Sequence, residues 1–227
     1  VVGTDQDGWT IRELAADYAR CARWAIESGA DVVEANFSCP NVATCDGQLF
    51  QHPDDAHIVA SSIRDRIGDA PFVVKIGRMM DPNNALRLLD ALEHTVDGIA
   101  MTNSIATTVR ADDGTLLFEG AKRGICGDAI RTASVEQTRV MAGLIQERNL
   151  QVQIIGVGGV RTAEHVADYL DAGAHAVQLG TAAMVNPAVG IDIRQGLERG
   201  CNRAGNTRDA KRARCGTCLL YTSDAAD

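Results

Sequence analysis

The chain has 227 residues, 45% hydrophobic and 23% charged, a balance that suits one large α/β domain with a substantial buried core. A formal charge of −8 speaks against nucleic acid and anionic membranes as partners, and no apolar stretch approaches the roughly 20 residues of a membrane helix. Seven cysteines, irregularly spaced and mostly inside element-like segments, exclude a small disulfide framework and point to reduced thiols in a cytosolic compartment.

Residues 1–4 read as the end of a strand. Thr10 and Glu13 then have the spacing of a capping box, opening a helix to about residue 28 whose apolar face is Ile11, Leu14, Ala15, Tyr18, Ala22 and Ala25. A strand over 31–37, a helix over 54–67 and a strand over 72–76 follow. Pro82 suits the first turn of a helix over 82–94, which leads to a strand over 98–102. After a long irregular stretch come a helix over 132–148, a strand over 152–157, a helix capped by Thr162, a strand over 176–179 and a helix near 191–198. No basic region followed by an apolar run suggests a secretory signal. The last ten residues, 218–227, read as the translation of a sequencing-library adapter, so the domain is expected to span 1–217. The Cys215 and Cys218 pair is then an accident of that junction, and with no ligand spacing among the histidines no metal site is expected.

Apolar strands separated by amphipathic helices predict a parallel sheet covered by helices, either doubly wound or a (β/α)8 barrel. In both, ligands bind at the carboxyl ends of the strands. Those ends carry Asn36 to Asn41, Lys75 with Arg78, Thr102 to Ser104, Gly156 to Gly159, and Gly180 with Thr181. Gly158 and Gly159 before a helix, with Gly180 and Thr181 after the next strand, would offer bare backbone N–H groups to a phosphate. Lys75 ends an apolar strand, where a buried ammonium needs an anionic partner; the N1/C2=O locus of a reduced flavin would serve. Asn36, Asn41, Asn103 and Ser104 supply donors and acceptors for a small planar ring, and Cys39 among them could act as a base. Cys45 and Cys126 read as bystanders.

In order, Asn-Phe-Ser-Cys-Pro-Asn (36–41), Val-Lys-Ile (74–76), Thr-Asn-Ser (102–104), Gly-Ile-Cys-Gly (124–127), Ile-Ile-Gly-Val-Gly-Gly (154–159) and Gln-Leu-Gly-Thr-Ala (178–182) form a series. It resembles the dihydroorotate dehydrogenases and their relatives, the dihydropyrimidine dehydrogenases, over about residues 31–182. The resemblance implies a (β/α)8 TIM barrel with FMN at its C-terminal face, and a chain that is an N-terminally truncated fragment covering about six βα units. Cys39 falls where class 1 enzymes carry their catalytic cysteine and class 2 enzymes a serine. Asn36, Asn41, Asn103 and Ser104 fall on pyrimidine-binding positions. Lys75 matches the lysine beside the flavin, and Gly127, Gly158, Gly159, Gly180 and Thr181 match FMN contacts.

The implied activity is oxidation of dihydroorotate to orotate in cytoplasmic pyrimidine biosynthesis, with Cys39 taking the C5 proton while hydride passes from C6 to flavin N5. Residues 43–53 would be a mobile loop closing over the ring. Implied partners are a small dihydropyrimidine and either a second copy of the chain or an electron-transfer subunit. Arg123 and Cys126 stand where the family has small residues, and Asp128 is unexpected. A dihydrouracil or dihydrothymine dehydrogenase module and a phosphate-binding barrel lyase or isomerase are the competing readings.

Overall fold

The structure is a computed structural model that describes residues 8–38 and 45–203. The strand expected at 1–4, Cys39, Asn41 and the segment 218–227 lie outside these residues.

The first helix, α1 (Ile11–Glu27), begins at the expected capping box, with the Thr10 N–H donating to the Glu13 carboxylate at 2.7 Å. Its Leu14, Ala15, Tyr18, Ala19 and Ala22 are buried, and the chain then enters β1 (Val33–Asn36). Alternation continues through α2 (Pro53–Ile67), β2 (Phe72–Ile76), α3 (Pro82–Leu92) and β3 (Gly98–Met101). Proline opens both α2 and α3, where its missing N–H costs no hydrogen bond, and Asp81 caps α3 by accepting from Asn83 N.

The stretch expected to be irregular holds an antiparallel hairpin, β4 (Ile105–Thr107) with β5 (Arg123–Ile125). Strands of three residues leave no alternation long enough to read from sequence. Beyond it come α4 (Arg131–Arg148), β6 (Gln153–Val157), α5 (Ala163–Asp171) and β7 (Ala176–Gln178). The short α6 (Thr181–Val185) was not expected, and α7 (Val189–Arg203) is longer than the predicted 191–198. No helix among the described residues is long and apolar enough to cross a membrane.

Five strands form one parallel sheet in the order β1-β2-β3-β6-β7. Its outer face carries Val33, Ala35, Phe72, Val74, Ile76, Ile99 and Ile154 into the main core against the helices. Its inner face carries a smaller apolar cluster of Val73, Ala100 and Val157, with Ile155 against it. Flat, the outermost strands would lie roughly 19 Å apart, four gaps of about 4.8 Å. Instead the side chains of Glu34 on β1 and Gln178 on β7 hydrogen bond at 2.5 Å. The sheet therefore curls until its opposite edges face each other, as the strands of a barrel do across its interior. The fold is a partial (β/α) barrel whose sheet is not closed among the described residues.

Residues 43–53, expected to be a mobile loop, are tied down in their second half. Cys45–Gln51 forms 3-10 turns, Leu49 and Phe50 are in the main core, and the Phe50 N–H donates to Phe37 O at 3.2 Å. Burying two large apolar side chains anchors this segment beside β1.

Candidate active site

The strand ends meet around Asn103. β3 leaves the sheet into Thr102 and Asn103, and the Asn103 N–H donates to Ile76 O at 2.9 Å, which holds it over the end of β2. Lys75, buried on the inner face, donates from Nζ to Asn103 Oδ1 at 2.5 Å. Asn103 Nδ2 donates to the backbone carbonyl of Ser38. The Ser38 N–H in turn donates to Asn36 Oδ1 at 3.1 Å, and the Tyr18 hydroxyl donates to Asn36 O at 2.8 Å. Both backbone polar groups of Ser38, the residue before Cys39, are thus held by carboxamides.

Both carboxamides also bind protein groups. Asn103 is engaged at both ends by protein groups and acts as a strut between β2 and the loop after β1. Asn36 spends its acceptor on the same loop. The hydroxyl oxygens of Ser104 and Thr102 are buried with no hydrogen-bond partner among the described residues. A buried hydroxyl left unpaired is costly. Burial pushes the Lys75 ammonium below the ordinary lysine range, and the charges of Glu34 and Cys126 pull it back up.

The glycine-rich ends build a cavity of about 290 Å³ beside this cluster, lined by Gly127, Gly159, Gly180, Thr181, Asp128 and Arg161 among others. Four of the five residues expected to contact a phosphate-bearing cofactor line it. Gly158 does not; a Cβ there would meet Ser134 Oγ at 2.7 Å, and its carbonyl accepts from the Tyr169 hydroxyl at 2.7 Å. Gly158 shapes the turn, and Gly159 meets the cavity. Asp128, unexpected beside an anion, is covered by Arg131 at 3.2 Å, which holds its carboxyl below the usual carboxylate range, and faces Arg161 at 4.0 Å. Arg123 stacks over Phe118 at 5.6 Å, and Cys126 Sγ lies 3.6 Å from Thr181 Oγ1. Among the described residues no group of three or more His, Cys, Asp or Glu could hold a metal ion.

Residues that gave no functional signal in the sequence hold this geometry. Gln137 of α4 is buried; it accepts from Met79 N at 2.9 Å and donates to Gly77 O at 2.9 Å, fixing the loop after β2. Tyr169 of α5 fixes Gly158 in the same way. Burial pushes the Tyr169 phenol up to about 12. The folded state therefore holds this proton more tightly than the unfolded chain, whose tyrosine titrates near 10. Its contribution to stability is complete below pH 10 and declines as pH rises from 10 through about 12. Denaturant titrations should show stability falling over that window in the wild type and a flatter profile in Tyr169→Phe. At pH 7 that variant should be about 1–2 kcal/mol less stable, because Gly158 O is left unpaired.

The sequence profile of the dihydroorotate dehydrogenase family matches residues 5–200. A dihydroorotate dehydrogenase of Dictyostelium discoideum is 30% identical over 188 residues, covering 80% of this chain and 51% of that protein. The catalytic subunit of dihydroorotate dehydrogenase B (NAD(+)) from Methanothermobacter thermautotrophicus is 32% identical over 181 residues, 77% of this chain and 56% of that protein. The chain therefore spans about half the length of these curated relatives. The crystal structure of the Eimeria tenella dihydroorotate dehydrogenase in complex with ferulenol aligns over 92% of this chain and 59% of that one, with a TM-score of 0.71 at 20% identity, a likeness of fold.

Proposed function

The chain belongs to the dihydroorotate dehydrogenase family, and from that premise we propose that its parent protein oxidises dihydroorotate to orotate with FMN. The observation that carries the reading is the chain of contacts from Lys75 through Asn103 to Ser38, which brings a buried cation and the end of the loop after β1 together.

The residues present fit the cofactor. The cavity at Gly127, Gly159, Gly180 and Thr181 would hold the phosphate, and Lys75 the electron-rich edge of the ring. FMN, when bound, supplies the acceptor for the hydride leaving C6 of the substrate. Cys39, as thiolate, takes the proton from C5, so that the C5–C6 bond becomes double and the sulfur ends as a thiol. Ser104, with its unpaired hydroxyl, and Asn41 and Asn36 orient the ring, and Asn103 keeps the lysine and the cysteine loop in register. Because one of the similar proteins is named a catalytic subunit, a separate electron-accepting subunit is part of the proposal, alongside the small-molecule substrate.

The test is the absorbance spectrum of the purified full-length protein. Flavin bands that bleach anaerobically with dihydroorotate, and more slowly with dihydrouracil, are expected. Faster bleaching with dihydrouracil would move the assignment to a dihydropyrimidine dehydrogenase. A colourless protein that takes up no FMN would favour a phosphate-binding lyase or isomerase.

A further inference from the structure

Glu34 and Gln178 have no place in the reaction just described, yet they meet across the whole inner face. Val33 and Ala35 point into the helix-facing core, so Glu34 between them points inward, and Asn36 points inward after it. In register, Glu34 pairs with Val73 and Asn36 with Lys75. The carboxylate therefore lies one inward position below the Asn36–Lys75 level, beneath the site. Gln178, 6% exposed, reaches it from the far edge of the sheet, Nε2 to Oε2 at 2.5 Å. A carboxylate only accepts hydrogen bonds, so this contact fixes the amide with its N–H toward Glu34 and its Oε1 away, buried and unpaired among the described residues. An acceptor left bare at that depth is a cost accepted in order to hold the carboxylate.

Lys75, 7% exposed, donates to a neutral amide. That bond satisfies one ammonium proton and leaves the charge uncompensated. Among the described residues, the charged or titratable groups that act on it are the Glu34 carboxylate from β1 and, more weakly, the Cys126 thiol from the loop after β5. We propose that Glu34, pinned across the barrel interior by Gln178, is a positioning residue that supplies the fixed counter-charge for Lys75. The link to catalysis rests on reading Lys75 as the lysine that faces FMN; the charge pair itself exists without any cofactor.

That separation sets the experiment. The chain has only three lysines, Lys75, Lys122 and Lys211, so selective 15Nζ labelling gives signals that Lys75→Met assigns. In the cofactor-free protein, Glu34→Gln keeps size and hydrogen bonding and removes the charge. It should lower the midpoint of the Lys75 titration by about one pH unit, a tenfold loss of proton affinity, and leave Lys122 unmoved. Glu34→Asp keeps the charge and should stay within roughly 0.3 pH unit of wild type, against ordinary scatter of about one unit among protein groups. Gln178→Leu, which removes the amide's hydrogen bond to the carboxylate, should move Lys75 in the same direction as Glu34→Gln, and it serves as the readout if Glu34→Gln does not fold. An unmoved Lys75 in the folded variants overturns the proposal. So does a fall in Glu34→Asp equal to that in Glu34→Gln, because the role would then be one of shape. Failure of the wild type to take up FMN would overturn the cofactor reading and leave the lysine result standing.

Discussion

With Cys39 replaced by alanine, anaerobic bleaching of FMN by dihydroorotate is expected to slow by about 10²–10⁴-fold, the usual contribution of a positioned general base. Binding of FMN itself should be little changed, since the residues proposed for the cofactor lie on other strand ends. The expectation rests on how the residue before the cysteine is held. Ser38 is buried, its N–H donates to Asn36 and its carbonyl accepts from Asn103. Phe37 packs edge-on to Tyr18, ring centres 5.9 Å apart. Most of the advantage of an enzymic base originates in its being held in position. Cys39→Ser should fall between wild type and alanine and improve with rising pH, because a hydroxyl yields its proton far less readily than a thiol. Stopped-flow traces at 450 nm, following the flavin band, would decide it. Bleaching at the wild-type rate in Cys39→Ala would remove the thiol from the base role.

How much of this arrangement could be read in advance depends on how local its cause is. Asn36, Lys75, Asn103 and the glycines announce themselves because each breaks an apolar strand within a few residues, and strand ends are where a parallel sheet puts its chemistry. The helix starts at Thr10, Pro82 and Thr162 are equally local, and the structure places them within a residue or two. What stays hidden depends on closure of the chain. Gln178 and Glu34 are 144 residues apart, and Gln137 reaches the loop after β2 from a helix beyond the hairpin. One trace of the first contact was present, since Glu34 stands two residues before Asn36 and period-two spacing puts both on one face. The protein contacts of Asn103 stay hidden for a related reason: a carboxamide at a strand end shows nothing in the sequence of the lysine and the loop carbonyl that it joins.

Gly159→Ala and Gly180→Ala should separate the building of the phosphate cavity from its use. Gly159 has φ of 68°, and a Cβ there would lie 2.8 Å from Asp128 Cα, 2.8 Å from Arg131 Cβ and 2.9 Å from Gly127 O. None of these atoms is the far end of a flexible side chain, so the turn itself must move. The left-handed backbone costs alanine about 1–2 kcal/mol and the overpacking about 1–3 kcal/mol. Together they predict a thermal midpoint roughly 5–15 °C lower for a domain of this size. FMN affinity should fall at least 100-fold, the equivalent of about 2.7 kcal/mol, because the displaced turn carries the cavity wall. Gly180 differs in both respects. Its φ is −117°, and a Cβ there meets nothing within 4 Å, although the residue lines the same cavity. Its alanine variant should keep the wild-type thermal midpoint and still weaken FMN, because the new methyl stands where the phosphate would. Loss of stability in Gly159→Ala with FMN affinity unchanged in Gly180→Ala would mean that these glycines shape the turn while the cofactor's phosphate sits elsewhere. Loss of affinity in both, with loss of stability in the first alone, would assign the cavity to the phosphate.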